Sequence, residues 1–201
     1  MMQDDANTID RLEQAERLKL EGKHAEAIAI LEALVLEDPE NVAALEEIAD
    51  NELSLCNFER AEAAARRAVN ISKESYTGEY IIGFLHSRSG QWKDACAHLR
   101  SANRLKSNNP EILRCLGWAL FSNGEETMGM VTLERALNLE PESALTLCDL
   151  GLAHLQLKNL KKAKVLFERA LDLEPNNTRA KECLDAAEKL LAMNAEKKVR
   201  S

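Results

Sequence analysis

Apolar residues along the chain recur at i, i+3, i+4 and i+7, in short runs that polar segments separate. This spacing puts apolar side chains on one face of a helix, so it predicts a series of amphipathic helices. Residues 144–177 show the pattern best: one predicted helix carries Leu147 and Leu150 on one face, and the next carries Ala163 and Phe167. We find no strand-like alternation, and the sequence therefore predicts an all-α protein.

Small residues recur with a period of 34. Two helices can approach closely only where no large side chain lies between them, so each small position predicts a contact between the helices of one hairpin. The phase is unbroken from residue 8 to residue 177, which predicts five hairpins at 8–41, 42–75, 76–109, 110–143 and 144–177. The two clearest series are Ala27, Ala61, Ala95, Gly129 and Ala163, and Ala15, Ala49, Gly83, Gly117 and Gly151.

The repeated pattern resembles the tetratricopeptide repeat (TPR) family, over about 170 residues. The resemblance implies a right-handed α-solenoid of five helix-turn-helix repeats that binds other proteins. The fourth and fifth repeats carry the family's residues most completely: Leu113, Leu116, Gly117, Gly129, Leu133, Ala136 and Pro141, and then Leu147, Leu150, Gly151, Ala163, Phe167, Ala170 and Pro175.

The ends of the chain and two acidic residues depart from the repeat. Residues 178–194 predict one more helix, which we expect to cap the fifth repeat, and residues 1–7 and 195–201 are expected to be frayed tails. Glu52 replaces the expected aromatic residue of the second repeat, and Glu79 replaces the large apolar residue of the third. These departures make the packing between the second and third repeats the hardest part to predict.

Charge and cysteine content narrow the possible environments and partners. The net charge is −8, and residues 1–75 hold 8 Lys+Arg against 18 Asp+Glu, which argues against nucleic acid or an anionic membrane as the partner. No signal peptide or membrane span is expected. The five cysteines form no Cys-x-x-Cys pair, so we expect reduced thiols in a cytoplasmic protein.

No combination of residues predicts catalysis, a cofactor or a metal site. The phosphate-binding, zinc-protease and nucleophile-elbow motifs are all missing from the sequence. His86 and His154 occupy the repeat position where the family packs an aromatic ring, which favours a packed histidine over a ligand or a general base. We therefore expect a protein that is not an enzyme.

The family resemblance also implies a partner-binding groove lined by the first helix of each repeat. Aromatic side chains beside arginine are typical of binding hot spots. A partner peptide or helix would be anchored on the rings, with the arginines at its acidic groups and the carboxylates at its basic end. Trp118 and Phe84 could instead pack between helices. The predicted groove residues are Tyr80, Phe84, Arg88, Arg114, Trp118, Phe121, Glu46 and Asp50.

These observations favour a protein–protein interaction module or scaffold. Co-chaperones of this family grip a terminal carboxylate with Lys, Asn and Arg, but the acidic Glu46, Glu47 and Asp50 would repel one. Two alternatives stay open. One is a scaffold that self-assembles head to tail, with acidic residues 1–75 of one chain against basic residues 158–200 of the next. The other is a chaperone-like adaptor for a secretion or assembly system.

Overall fold

The computed structural model describes residues 2–199, and the side chains of residues 7–194. That part of the chain forms eleven α-helices and no strand, which confirms the all-α prediction. The helices are α1 Met2–Leu20, α2 His24–Glu37, α3 Val42–Ser54, α4 Phe58–Ile71, α5 Tyr76–Arg88, α6 Trp92–Leu105, α7 Pro110–Ser122, α8 Glu126–Leu139, α9 Ala144–Gln156, α10 Leu160–Leu173 and α11 Thr178–Val199.

The helices divide into two compact units, Met1–Ser107 with α1 to α6 and Asn108–Ser201 with α7 to α11. Within each unit every helix packs on the next, as in a stack of helix hairpins. The first helices of successive hairpins also contact each other: α1 with α3 and α3 with α5 in the first unit, and α7 with α9 and α9 with α11 in the second. This arrangement is that of an α-solenoid of TPR repeats.

The first helices of the four hairpins after the first one, and α11 after them, each begin after an Asn or Ser cap, which recurs every 34 residues. In each case an Asn or Ser side-chain oxygen accepts a hydrogen bond, of 2.9–3.4 Å, from the backbone N–H three residues later. The bond satisfies one of the N–H groups that a helix start leaves without a partner. The capping residues are Asn41, Ser75, Asn109, Ser143 and Asn177.

The turn inside each hairpin is also the same turn repeated five times, with one residue in the left-handed region. Its two closing hydrogen bonds are those of a Schellman motif; in the last hairpin Lys158 N–H donates to Leu155 O at 3.0 Å and Asn159 N–H donates to His154 O at 2.8 Å. Glycine suits this position because it lacks a Cβ, yet two hairpins use another residue. The residues are Gly22, Cys56, Gly90, Gly124 and Lys158.

The small residues of the 34-residue period lie at the closest approaches between helices. In the hairpin of α7 and α8, a Cβ on Gly129 would lie 2.5 Å from Phe121 N and 2.7 Å from Gly117 O, so the helices touch backbone to backbone. The alanines of both series, such as Ala27 and Ala163, are fully buried. At the small residues that the sequence predicts, the two helices of a hairpin are therefore in direct contact, with no large side chain between them.

The two acidic departures from the repeat both lie beside polar side chains. Glu52 is fully buried, and its carboxylate accepts a hydrogen bond from Asn57 Nδ2 at 2.8 Å and pairs with Arg60 Nε at 2.9 Å. Glu79 lies 2.6 Å from the Nδ1 atom of His98. A polar contact across the hairpin thus replaces the apolar contact that the family pattern places there.

The ends of the chain and the repeat boundaries stay predictions. α1 begins at Met2, inside the segment expected to be an N-terminal tail, and α11 continues to Val199, through much of the expected C-terminal tail. Residues 1, 200 and 201 lie outside the described part of the chain. α11 does pack on both α9 and α10, as a helix that covers the fifth hairpin would.

Candidate functional site

Two aromatic rings of the first unit lie side by side on α5. The ring centroids of Tyr80 and Phe84 are 6.3 Å apart and the rings are tilted by 38°. Both side chains are half-buried and pack against the apolar core that α1 to α5 share. Each ring therefore has one surface fixed by the core, and each keeps a part that solvent or a partner can reach.

The predicted carboxylates lie on α3, beside α5, and both already have partners. Glu46 accepts a hydrogen bond from Ser75 Oγ at 2.6 Å, and partial burial raises the pKa of its carboxyl group. Lys19 Nζ donates to Glu47 at 2.7 Å and to Asp50 at 3.1 Å. Burial alone would lower the pKa of Lys19, but the two carboxylates raise it overall, so the ammonium stays charged. The three acids and one lysine leave this surface negative.

Arg88, at the end of α5, stacks on an aromatic ring of the preceding hairpin. Its guanidinium carbon lies 3.9 Å from the centroid of the Phe58 ring, which is a cation–π contact. The side chain itself is exposed. The contact gives the exposed guanidinium group one fixed neighbour.

A second aromatic pair lies on α7 in the second unit. The ring centroids of Trp118 and Phe121 are 6.0 Å apart and the rings are stacked within 21°. Phe121 is only 5% exposed and packs with Leu133, Leu150 and Ala153, whereas Trp118 is half-buried. Of the two rings, Trp118 has surface that a partner can contact, whereas Phe121 is part of the core against which Trp118 packs.

The predicted arginine of the second unit is held by a buried acid on the next first helix. Arg114 Nη1 donates to Asp149 Oδ2 at 2.9 Å, and Arg179 of α11 lies 3.7 Å from Asp149 Oδ1. Burial raises the pKa of Asp149, and the charge of Arg114 holds part of that rise back. Two guanidinium groups thus share one buried carboxylate.

The predicted residues therefore form two groups, one in each unit. Four of the partners that fix them were absent from the prediction: Lys19, Ser75, Asp149 and Arg179. Arg179 had a signal in the sequence, because it stands at the second position of a sixth 34-residue unit, where groove residues are expected. Lys19 had the same kind of signal, because it is the twelfth residue of the first repeat, as the predicted groove residue Phe121 is of the fourth. Ser75 and Asp149 carried no such signal, since a fixed contact depends on side-chain geometry that the repeat does not encode.

Two reactive side chains of the second unit, Cys148 and His154, are buried. No three His, Cys, Asp or Glu side chains among the described residues converge to hold a metal ion. Burial raises the pKa of the Cys148 thiol to about 11, which makes it a poor nucleophile. His154 is buried and its pKa is lowered by burial, so the ring is neutral near pH 7.

Family models for the tetratricopeptide repeat match residues 12–76 and 144–177. The chain belongs to the tetratricopeptide repeat family. TPR proteins are in general non-catalytic modules that bind other proteins, and that coarse function follows from the family. Among the described residues, no helix has both the length and the apolar character needed to cross a membrane.

Solved TPR structures share the fold of this chain over most of its length. A thermophilic TPR protein of Thermus thermophilus, TTC0263, aligns with a TM-score of 0.67 at 20% identity, covering 89% of this chain and 97% of that one. YrrB, described as a TPR protein with an unusual peptide-binding site, aligns with a TM-score of 0.64 at 19% identity, covering 86% and 89%.

A curated relative is similar over part of its length. The cytochrome c-type biogenesis protein CycH of Pseudomonas aeruginosa is 27% identical over 131 residues, which is 64% of this TPR chain. The chain spans about a third of that relative, 32% of its length.

Proposed function

We propose that this TPR protein binds a segment of a partner protein on the face formed by its first helices. The observation that carries the proposal is the pairing of half-exposed rings with charged groups that neighbouring side chains already fix. Aromatic and arginine side chains dominate binding energy at interfaces, and fixed groups lose less conformational entropy when a partner binds. YrrB, which shares the fold, is itself described as having a peptide-binding site.

The two units favour different partner chemistry. In the first unit, Tyr80 and Phe84 lie next to the negative surface of Glu46, Glu47 and Asp50, which suits an apolar side chain flanked by basic residues. In the second unit, Trp118 lies on the helix that carries Arg114, and the two guanidinium groups of Arg114 and Arg179 beside one carboxylate suit an acidic segment. Each of these two expected partner types is argued from the residues of one unit alone.

Affinity capture from the native cell extract tests this function. The wild-type protein and its Tyr80→Ala and Trp118→Ala variants are compared by quantitative mass spectrometry of the recovered proteins. Loss of a hot-spot ring costs about 2 kcal/mol or more, so we expect recovery of the specific partner to fall about 30-fold in at least one variant.

Met128→Ala is the matched control, because Met128 is 57% exposed on the second helix α8. We expect the control to recover the wild-type partner in full. The same partner recovered in equal amount by all three variants would contradict binding on the first helices. The cytoplasmic location and the adaptor role are further proposals, and the identity of the captured partner informs both.

A further inference from the structure

An apolar cavity of about 410 Å³ opens between the second helices α2 and α4 of the first unit. Its floor is formed by Leu45 and Ile48 of α3, and its walls include Val35 and Ala64. The cavity exists because α4 carries alanines where larger side chains would fill the space, and its wall residue Ala63 is exposed. None of the predicted partner-binding residues lines it.

One leucine at the rim of this cavity is almost fully exposed. Leu36 lines the opening, yet 85% of its surface is accessible. A leucine in water loses the stabilisation that burial would give, and here it lies beside an apolar cavity that is large enough to accept such a side chain. We call the cavity and Leu36 together the α2–α4 patch.

The α2–α4 patch carries charges of both signs in fixed positions. Arg60 lies 2.5 Å from Glu32 and 2.9 Å from the buried Glu52, and Arg67 donates to the Pro39 carbonyl oxygen at 3.1 Å. A partner of a single charge sign would meet repulsion from half of these groups. A rotated copy of the same surface carries both signs as well, so it can place a group of opposite sign against each of these charges.

We propose that a second copy of this chain covers the α2–α4 patch in a two-fold symmetric dimer. Leu36 of each copy enters the cavity of the other, and Glu32 of each copy faces Arg67 of its partner copy. Because the projecting side chain and the cavity lie on one patch, the contact is isologous and closes at two copies. This interface differs from head-to-tail assembly, and it leaves the first helices free for a partner.

Sedimentation velocity over a wide range of protein concentration tests the dimer. Two substitutions address the two halves of the contact: Leu36→Ser removes the projecting side chain, and Ala63→Phe fills the cavity. Each change acts twice in a two-fold dimer, so we expect either variant to raise the dissociation constant at least about 100-fold. Leu20→Ser is the control, since Leu20 is 80% exposed on α1 and lies outside the patch.

The variants can also be mixed. Leu36→Ser and Ala63→Phe chains together re-form one of the two contacts, so we expect the mixed dimer to be weaker than the wild type but stronger than either variant alone. Circular dichroism checks that each variant keeps its helical content.

Three outcomes would overturn the proposal. The first is a wild-type protein that stays monomeric at every concentration, whether or not a different protein binds to its α2–α4 patch. The second is a dimer that neither variant weakens. The third is a mass that keeps growing beyond two copies, which would indicate open head-to-tail assembly.

Discussion

Single residues set the local geometry at the repeated turns and at the hairpin seams. Two of the five hairpin turns place a side chain in the left-handed region, Cys56 with φ 59° and Lys158 with φ 60°. The other three turns use glycine there. Because a Cβ in this region contacts the backbone, these two turns carry a conformational cost that the glycine turns avoid.

We expect Lys158→Gly to stabilise the protein. The left-handed conformation costs an L-residue about 1–2 kcal/mol, and glycine avoids this cost. Glycine also loses more chain entropy on folding, which lowers stability by about 0.5–1 kcal/mol. The net gain is about 0.5–1 kcal/mol in the free energy of unfolding, measured by urea denaturation. Lys158→Ala removes the same charge but keeps the Cβ, so an equal gain in both variants would contradict this account.

His154 makes the stability of the protein depend on pH. Burial lowers its pKa in the folded state, so the unfolded chain binds a proton first as the pH falls below the ordinary value of about 6.5. The unfolded state then binds more protons than the folded state, and stability falls with falling pH, at no more than about 1.4 kcal/mol per pH unit for one group.

Urea denaturation between neutral and mildly acidic pH measures this dependence. We expect His154→Phe, which restores the aromatic residue of the family pattern, to flatten the loss of stability at acidic pH. The slope is compared rather than the absolute stability, because the larger ring also changes the packing. Parallel curves for the two proteins would show that His154 does not carry the effect.

At the scale of elements, the hairpin is the unit that the sequence predicts well. The 34-residue period predicts the helix pairs because small residues must lie wherever two helices meet closely, and Gly117 and Gly129 do so. The period predicts less about the polar contacts, because Glu52 and Glu79 reach their partners through side-chain geometry. In the same way the sequence indicates Trp118 and Arg114 as candidates but does not reveal that Asp149 holds the arginine.

Gly129→Ala tests the close approach of α7 and α8. At an open helical site this change would stabilise a helix by about 1 kcal/mol, but here the new Cβ would lie 2.5 Å from Phe121 N, which cannot move aside. We expect the overpacking to lower the free energy of unfolding by about 1–3 kcal/mol instead.

The control for this prediction is Ala29→Gly on the exposed side of α2, which measures the propensity difference in this chain where no contact intervenes. Both substitutions should then destabilise the protein, although they change helix propensity in opposite directions. A stabilised Gly129→Ala variant would mean that the two helices have room to separate.

At the scale of the whole molecule, the two compact units carry different charge. Residues 1–107 hold 13 Lys+Arg against 20 Asp+Glu, a net of −7, while residues 108–201 hold 13 against 14, a net of −1. The repeat itself does not require this asymmetry, because the hairpin seams are alike in both units. The asymmetry lies in surface residues, which is where a TPR protein encodes its choice of partner.

Hydroxyl-radical footprinting of the protein with its captured partner tests the central claim most directly. The method measures side-chain oxidation, to which aromatic residues and methionine are sensitive. We predict that the partner protects Tyr80, Phe84 or Trp118 on the first helices, while Met128 on α8 is oxidised equally with and without it. Protection of Met128 with no change at the three rings would contradict binding on the first-helix face.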